Sequence, residues 1–506
     1  MVASQGQVEA VDVTQKDAGS GVTSESNRVI WLLLGAAFVA ILNETTMGVA
    51  IPHLIDDLGI TAVAAQWLTT AYMLTMAVVI PTTGFLLQRI TTRSVFVLAM
   101  GLFTLGTLIA VVSPGFEVLL VARVVQASGT AIMMPLLMTT IMRLVPTSTR
   151  GRMMGRVSIV MSLAPAIGPT MSGLLLDTAG WRWIFGVVLP IAIVALVVGA
   201  RWIHNVGETS KVHIDVLSVV LSALGFGGLV FGLSQVGGST AHGEGAIEDM
   251  AANSVATFTL IASFGIGAIA LGLFGWRQIR LQRTNDALLD LSVFRSANFS
   301  LSIAQMGLLA LGFFGTITVL PLYMQTVLGS SALETGLVVL PGALAMGLAG
   351  PFIGRVYDAR GTRTLLIPGA VIASAMLWIF TTFDEFTPVW AIAVVQTVLS
   401  MGLALSFTPL FTASLGSLSP QFYSHGSAVL GTVQQVSGAA GIALMITIMS
   451  AVSASEVSRG ASALAASASG AQAAFTLAAV ASLPLIAGAM LIRKPEDSII
   501  EPPVGH

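Results

Sequence analysis

Apolar runs of about 20 residues recur fourteen times along the chain, separated by short polar connections. A helix of about 20 apolar residues crosses the ~30 Å hydrocarbon core of a bilayer. The pattern therefore predicts membrane-spanning helices near residues 29–51, 65–87, 94–113, 117–142, 153–176, 183–203 and 214–235, and near 254–276, 299–322, 334–354, 364–382, 388–411, 427–449 and 472–492. The runs are too long for an outer-membrane barrel, whose strands alternate over roughly 10 residues. The expected fold is an all-α polytopic membrane protein.

Composition agrees: charged residues make up 9% of the chain, where a soluble domain carries roughly a quarter. The position of the charges says more than their number. With the N-terminus in the cytoplasm, 19 of the 22 basic residues fall in cytoplasmic segments, the others being Arg123, Arg182 and Arg459. Such asymmetry sets orientation, so both termini are expected in the cytoplasm of a multi-pass protein. The connection 412–426 has no Lys or Arg, and its side follows from parity alone. The absence of cysteine excludes disulfides and thiol nucleophiles. The six His residues show no metal-ligand spacing, no phosphate-binding GxxxxGK[ST] loop is present, and neither a cofactor nor a nucleic-acid partner is expected.

The spans divide as six, two and six. Residues 1–27 are polar, with Glu9, Asp12, Asp17 and Glu25, and read as a disordered cytoplasmic head before a first span serving as uncleaved anchor. A six-helix bundle over 28–203 is followed by two inserted helices and a linker over 204–298. A second bundle (299–492) and a cytoplasmic tail (493–506) complete the chain. The acidic stretch 236–253 and the Ala/Ser-rich stretch 450–471 read as soft loops. A repeat relates the bundles: Gly84-Phe-Leu-Leu-Gln88-Arg89-Ile-Thr91-Thr-Arg93 lies between the second and third spans of the first, and Gly350-Pro-Phe-Ile-Gly354-Arg355-Val-Tyr-Asp358-Ala-Arg360-Gly361-Thr-Arg363 in the same place in the other. Duplicated halves around a central site are a transporter architecture, although basic anchoring turns alone would give the same two turns.

Charges inside spans are costly and mark functional positions by default. Glu44 lies about seven residues from the outer end of its span, roughly 10 Å deep, and Arg123 lies at a similar depth in the fourth. Desolvation of a carboxylate and a nearby arginine act in opposite directions on its proton, so such a group can take and release one. A static ion pair joining two helices is the other reading of the same residues. In the fifth span Ala164, Gly168 and Ser172 recur every four residues, a smooth stripe that permits close helix approach. Pro165 and Pro169 each remove a backbone bond. That combination suits the seam where two bundles rock, and ordinary tight packing would use the same spacing.

Three motifs carry a family resemblance. Leu42-Asn43-Glu44-Thr45-Thr46-Met47-Gly48-Val49-Ala50-Ile51-Pro52 resembles the L-D-x-T-x-x-N-V-A-L-P signature of the fourteen-span drug:proton antiporters of the major facilitator superfamily. Arg123-Val-Val-Gln126-Ala127-Ser-Gly129 is similar to their R-x-x-Q-G-x-G, and Ala164 to Gly173 to their antiporter motif. The lincomycin-resistance type of exporter is the most similar. The chain departs from the pattern at Asn43, Gln88 and Thr91, where Asp, Asp and Gly are usual, while Asp358 and Gly361 keep it.

The resemblance implies a major facilitator fold in which spans one and four line the cavity. It also implies drug export by proton antiport and alternating access from the inner membrane of a bacterium. The sequence offers no polar catalytic cluster at a membrane face, so an enzyme is not expected, and a monomer is. On the residues' own chemistry, Glu44 is expected to bind the coupling proton and Arg123, with Gln126, to tune it. Asn43, Gln66, Trp67, Tyr72, Gln126, Gln305, Tyr323, Gln325 and Gln434 are candidate cavity residues, each equally readable as a packing or interface residue. Arg89, Arg93, Ala164, Pro165, Gly168, Pro169, Gly173, Asp358 and Arg360 are candidate conformational residues. Export of a metabolite such as an amino acid or polyamine would use the same machinery.

Overall fold

The computed structural model describes residues 24–60, 62–205, 215–239, 250–284 and 286–494. Most of the head, the acidic loop and the tail expected from the sequence lie outside them. In lipid every backbone polar group must be satisfied within the segment or barrel. All fourteen apolar runs form helices: α1 (Ser24–Leu58), α2 (Ala62–Arg89), α3 (Thr92–Val111), α4 (Phe116–Leu144), α5 (Arg150–Thr178), α6 (Arg182–Trp202), α7 (Val216–Ser239), α8 (Met250–Leu281), α9 (Ala297–Thr326), α10 (Ala332–Arg360), α11 (Arg363–Phe380), α12 (Val389–Gly416), α13 (Tyr423–Ser458) and α14 (Ala463–Leu491). No strand occurs among the described residues.

Two boundaries differ from expectation. Ser24–Asn27 already belong to α1, and the stretch 450–471 is helical apart from a short turn after Ser458. Its alanines are good helix formers, and Gly460, at φ 93°, makes the turn between α13 and α14.

The packing displays the repeat. In the first bundle α1 lies against α5 and α6, α2 against α4, and α3 against α4 and α6. In the second, α9 lies against α13 and α14, α10 against α12, and α11 against α12 and α14. Adding eight to each helix number of the first set gives the second. The bundles meet where α5 packs on α10 and α2 on α13, with α4 also reaching α13 and α12 reaching α5. Side chains such as Leu348 (77% exposed) and Trp390 (70%) cover the outside of the bundle, a surface suited to lipid.

The inserted pair is clasped at its base. Arg277 Nε and Nη2 donate to Asp215 at 2.6 and 2.8 Å, and Gln278 Nε2 donates to Ser218 Oγ at 2.7 Å. Gln278 Oε1 accepts from the Leu289 N–H (3.1 Å), and the Asp290 N–H donates to His425 Nδ1 of α13 (3.3 Å). The pair is thus tied to the second bundle. The hydrogen bonds from Arg277 hold the Asp215 carboxyl down at about 2. A depressed carboxyl stabilises above its unfolded value of about 4 and stops doing so as the pH falls through its folded value. The protection of amides at the base of α7 and α8, corrected for the intrinsic exchange rate, should therefore be flat from neutral pH down to about 4 and fall only below it. Asp215→Asn should raise exchange at neutral pH.

Candidate functional site

Arg123 is 1% exposed and sits in a cage built by three helices. Its Nη1 donates to Gln126 Oε1 at 2.7 Å, its Nε reaches the Leu68 carbonyl at 3.5 Å, and its guanidinium lies 4.0 Å from the Tyr72 ring centroid. Each wall is itself held. The Tyr72 hydroxyl donates to Thr130 Oγ1 (2.7 Å), and Thr130 donates to the Gln126 carbonyl (3.2 Å). Gln126 Nε2 donates to Thr107 Oγ1 of α3 (2.8 Å). A Cβ at Gly129 would lie 2.6 Å from the Phe103 nitrogen, so glycine there lets α3 come near enough to supply Thr107. A desolvated cation over an aromatic face is worth about 2 kcal/mol, and arginine keeps its proton in proteins. The cage holds a fixed positive charge inside the first bundle.

Glu44 of α1 faces this charge without being clasped by it. Its side chain is half-buried, and it forms neither a hydrogen bond nor an ion pair with Arg123, whose donors are directed to Gln126 and Leu68. The two charges act on each other through space. The structure thus lacks the static pair that the sequence left open. A carboxylate placed this way can gain or lose a proton without breaking a structural bond.

Neighbouring side chains on a helix point about 100° apart, and Asn43 accordingly turns away from Glu44. It is fully buried, with both amide atoms unpartnered among the described residues, so it does not line an open cavity. The stripe of α5 packs on α1, within the first bundle, and not at the seam between bundles. A Cβ at Gly168 would strike Thr45 Oγ1 and lie 3.2 Å from the Leu42 carbonyl. Ser172 Oγ donates to the Thr46 carbonyl at 2.9 Å, and Ala164 is buried. Pro165 is half-buried, Gly173 faces open space, and the Pro169 side chain is outside the described residues.

The other candidate cavity residues scatter. Tyr72 and Gln126 belong to the Arg123 cage, and Trp67 packs against Phe231 of α7 with ring centroids 5.7 Å apart. Gln305 is committed to the Pro484 carbonyl (3.0 Å), a bond between α9 and α14. The Tyr323 hydroxyl donates to the Asp384 carbonyl (2.5 Å), tying α9 to the α11–α12 turn. Both are packing groups of the second bundle, because each finds a backbone carbonyl within reach. Gln325 is exposed and Gln434 half-buried; the Gln66 side chain is outside the described residues.

The bundles are fastened at the end carrying the basic turns. The Asp358 carboxylate accepts from the Gly151 and Arg152 N–H groups at 2.7 and 2.9 Å, capping the N-terminus of α5 from the other half. Free N–H groups and the helix dipole favour an anion there. The corresponding residue of the first turn, Gln88, donates to the Gln421 carbonyl at 3.1 Å, a neutral bond. Thr91, in place of glycine, caps α3 by accepting from the Ser94 N–H at 3.4 Å. Arg89, Arg93 and Arg360 are exposed, Arg89 lying 5.8 Å from the Phe85 ring centroid. Above Asp358 the helices touch backbone to backbone: a Cβ at Gly155 would collide with Gly350, and one at Gly354 with Gly151. Thr139 and Ser427 (2.9 Å) and Ser158 and Thr408 (2.7 Å) are hydrogen-bonded across the same region. Sequence reasoning found Asp358 through the repeat. It missed Gly151 and Gly155, whose partners are two hundred residues away, and the cage role of Tyr72 and Thr107.

A charge-assisted bond is worth about 1.5–3 kcal/mol. Asp358→Asn should therefore shift the closed–open balance at this end by about tenfold or more towards open. Since the chain has no cysteine, Ser158→Cys in the buried seam reports it: a membrane-impermeant maleimide added from the basic side should react faster when Asp358→Asn is present.

Two helical bundles related by a repeat, with a polar site inside and a closed seam at one end, define a membrane transporter. The chain belongs to the Major Facilitator Superfamily, whose family model matches residues 33–442. It is 39% identical over 437 residues to the lincomycin resistance protein LmrB of Listeria innocua, covering 86% of this chain and 89% of that protein. It is 31% identical over 418 residues to a multidrug resistance protein B homolog of Mycobacterium tuberculosis, covering 82% and 74%. Among solved structures, the human organic anion transporter MFSD10 shares the fold with a TM-score of 0.60 at 14% identity, covering 92% of this chain and 99% of that one. The proton:xylose symporter XylE does so at 0.59 and 14% identity, covering 92% and 97%.

Proposed function

We propose that the protein exports drug-like small molecules by proton antiport and alternating access. In this reading it lies in a bacterial plasma membrane with its basic end and both termini in the cytoplasm, works as a monomer, and draws on the proton gradient with no cofactor. The observation that carries the reading is Glu44, half-buried and unclasped beside a caged, permanent positive charge. Proton binding at Glu44 from outside displaces the drug, and proton loss to the cytoplasm resets the carrier. The six-helix bundles are the moving parts, and Asp358 with the glycine pairs closes the cytoplasmic end during release. Relatives named for lincomycin and multidrug resistance support a drug as cargo.

Inverted membrane vesicles with an acidic lumen provide the test. Adding lincomycin or a lipophilic cationic dye should release lumenal protons in vesicles containing the protein and not in vesicles lacking it. No release with any drug would remove drug antiport, and proton release triggered by an amino acid or polyamine instead would make the protein a metabolite exporter.

A further inference from the structure

The two seams between the bundles, α5 with α10 and α2 with α13, are equivalent under the repeat but are not equally covered. α7 lies along both α2 and α13. Gly227 brings its backbone against α2, where a Cβ would be 3.3 Å from Val78 and 3.5 Å from Leu74. No described residue of α2 from Ala64 to Gln88 is exposed. α10, the counterpart of α2, is bare: Leu333 is 73% exposed, Leu337 57%, Leu348 77% and Phe352 67%, at helical spacing along one face. On α5 beside it, Ile167 and Leu174 are also exposed.

The bare seam leads to the site. Gly168 of α5 abuts Thr45, the residue after Glu44, so a single helix separates the seam from the carboxylate. On the covered seam, α7 is tied to the second bundle through Ser218, Gln278, the linker and His425. Its contacts with Val78, Leu74 and Trp67 are apolar and slide without loss of a hydrogen bond.

We propose that amphiphiles dissolved in the bilayer pass between lipid and the central cavity through the α5/α10 seam alone, α7 having closed the α2/α13 seam. This rests on the export reading above, and water-confined drugs would use the ends of the bundle instead. The test uses the full chain in proteoliposomes, a benzophenone-bearing long-chain quaternary ammonium, and mapping of the label that excess unlabelled ammonium displaces. Displaceable label is expected on α5 and α10 in several-fold excess over α2 and α13. Equal label on the two seams would overturn the proposal. So would the absence of displaceable label while lincomycin still triggers proton release, an outcome that leaves the export reading standing. No proton release with any drug would instead remove that reading and the proposal with it. In Gly227→Leu, whose side chain forces α7 off Val78, displaceable label should appear on α2; an unchanged map in the inserted variant would overturn the role of α7.

Discussion

Vesicles carrying Glu44→Gln should lose drug-triggered proton release down to the level of vesicles without the protein, while drug binding persists. Glutamine fills the same volume and keeps a polar end but cannot exchange a proton. Since Glu44 forms no bond to Arg123, the substitution leaves no buried partner unpaired and the bundle should insert normally. The energetic loss is the whole coupling: one charge moved through 100 mV supplies about 2.3 kcal/mol, or about fifty-fold in a concentration ratio. A neutral drug exchanged for one proton moves net charge, whereas a monovalent cation exchanged for one proton does not. Wild-type export of the neutral drug should accordingly respond to an imposed potential, and export of the cation only to the pH difference. Full drug-triggered proton release in Glu44→Gln would move the coupling site elsewhere.

Gly168→Leu should also abolish export, for a mechanical reason. The first added carbon already meets Thr45, and α1 must move away from α5 by the width of a side chain. That shift carries Glu44 with it and breaks the bond from Ser172 to the Thr46 carbonyl. Overpacking of this kind costs about 1–3 kcal/mol, which a fourteen-helix bundle can absorb, so normal membrane levels with no transport are the expected result. Gly173→Leu is the control, because the space beside Gly173 is open. Equal loss in both variants would mean that bulk anywhere on α5 is harmful and that contact with α1 has no special role.

Much of the fold was legible because its determinant is local. A lipid-spanning helix needs only an apolar run of sufficient length, and each of the fourteen runs supplies one. The repeat was legible at the basic turns, where Asp358 and Gln88 occupy matching positions. Glu44 and Arg123 stood out because charge in a span is rare. Partnership was not legible, since it depends on which faces meet. Asn43 and Glu44 are adjacent in sequence, yet one is sealed and the other half-open, and the difference is a rotation of about 100° that composition does not record. The small-residue stripe of α5 was visible at its spacing, but the stripe does not say which helix it receives. Gln305 and Tyr323 looked like cavity residues because their carbonyl partners, at Pro484 and Asp384, are supplied only by tertiary packing.

The contact of bare backbone at Gly151, Gly155, Gly350 and Gly354 bears on speed and on heredity alike. Where these four glycines meet there are no rotamers to freeze on closing, and the groups to disengage on parting are few: the Asp358 cap and the Thr139–Ser427 and Ser158–Thr408 pairs. Under the alternating access proposed above, the two positions of the carrier would interchange there without reshuffling a core. The same bareness makes the joint intolerant, since even a methyl group at any of the four would hold it ajar. Changes that broaden or narrow the range of cargo must therefore accumulate elsewhere in the chain, and descendants with quite different appetites can inherit this hinge unaltered.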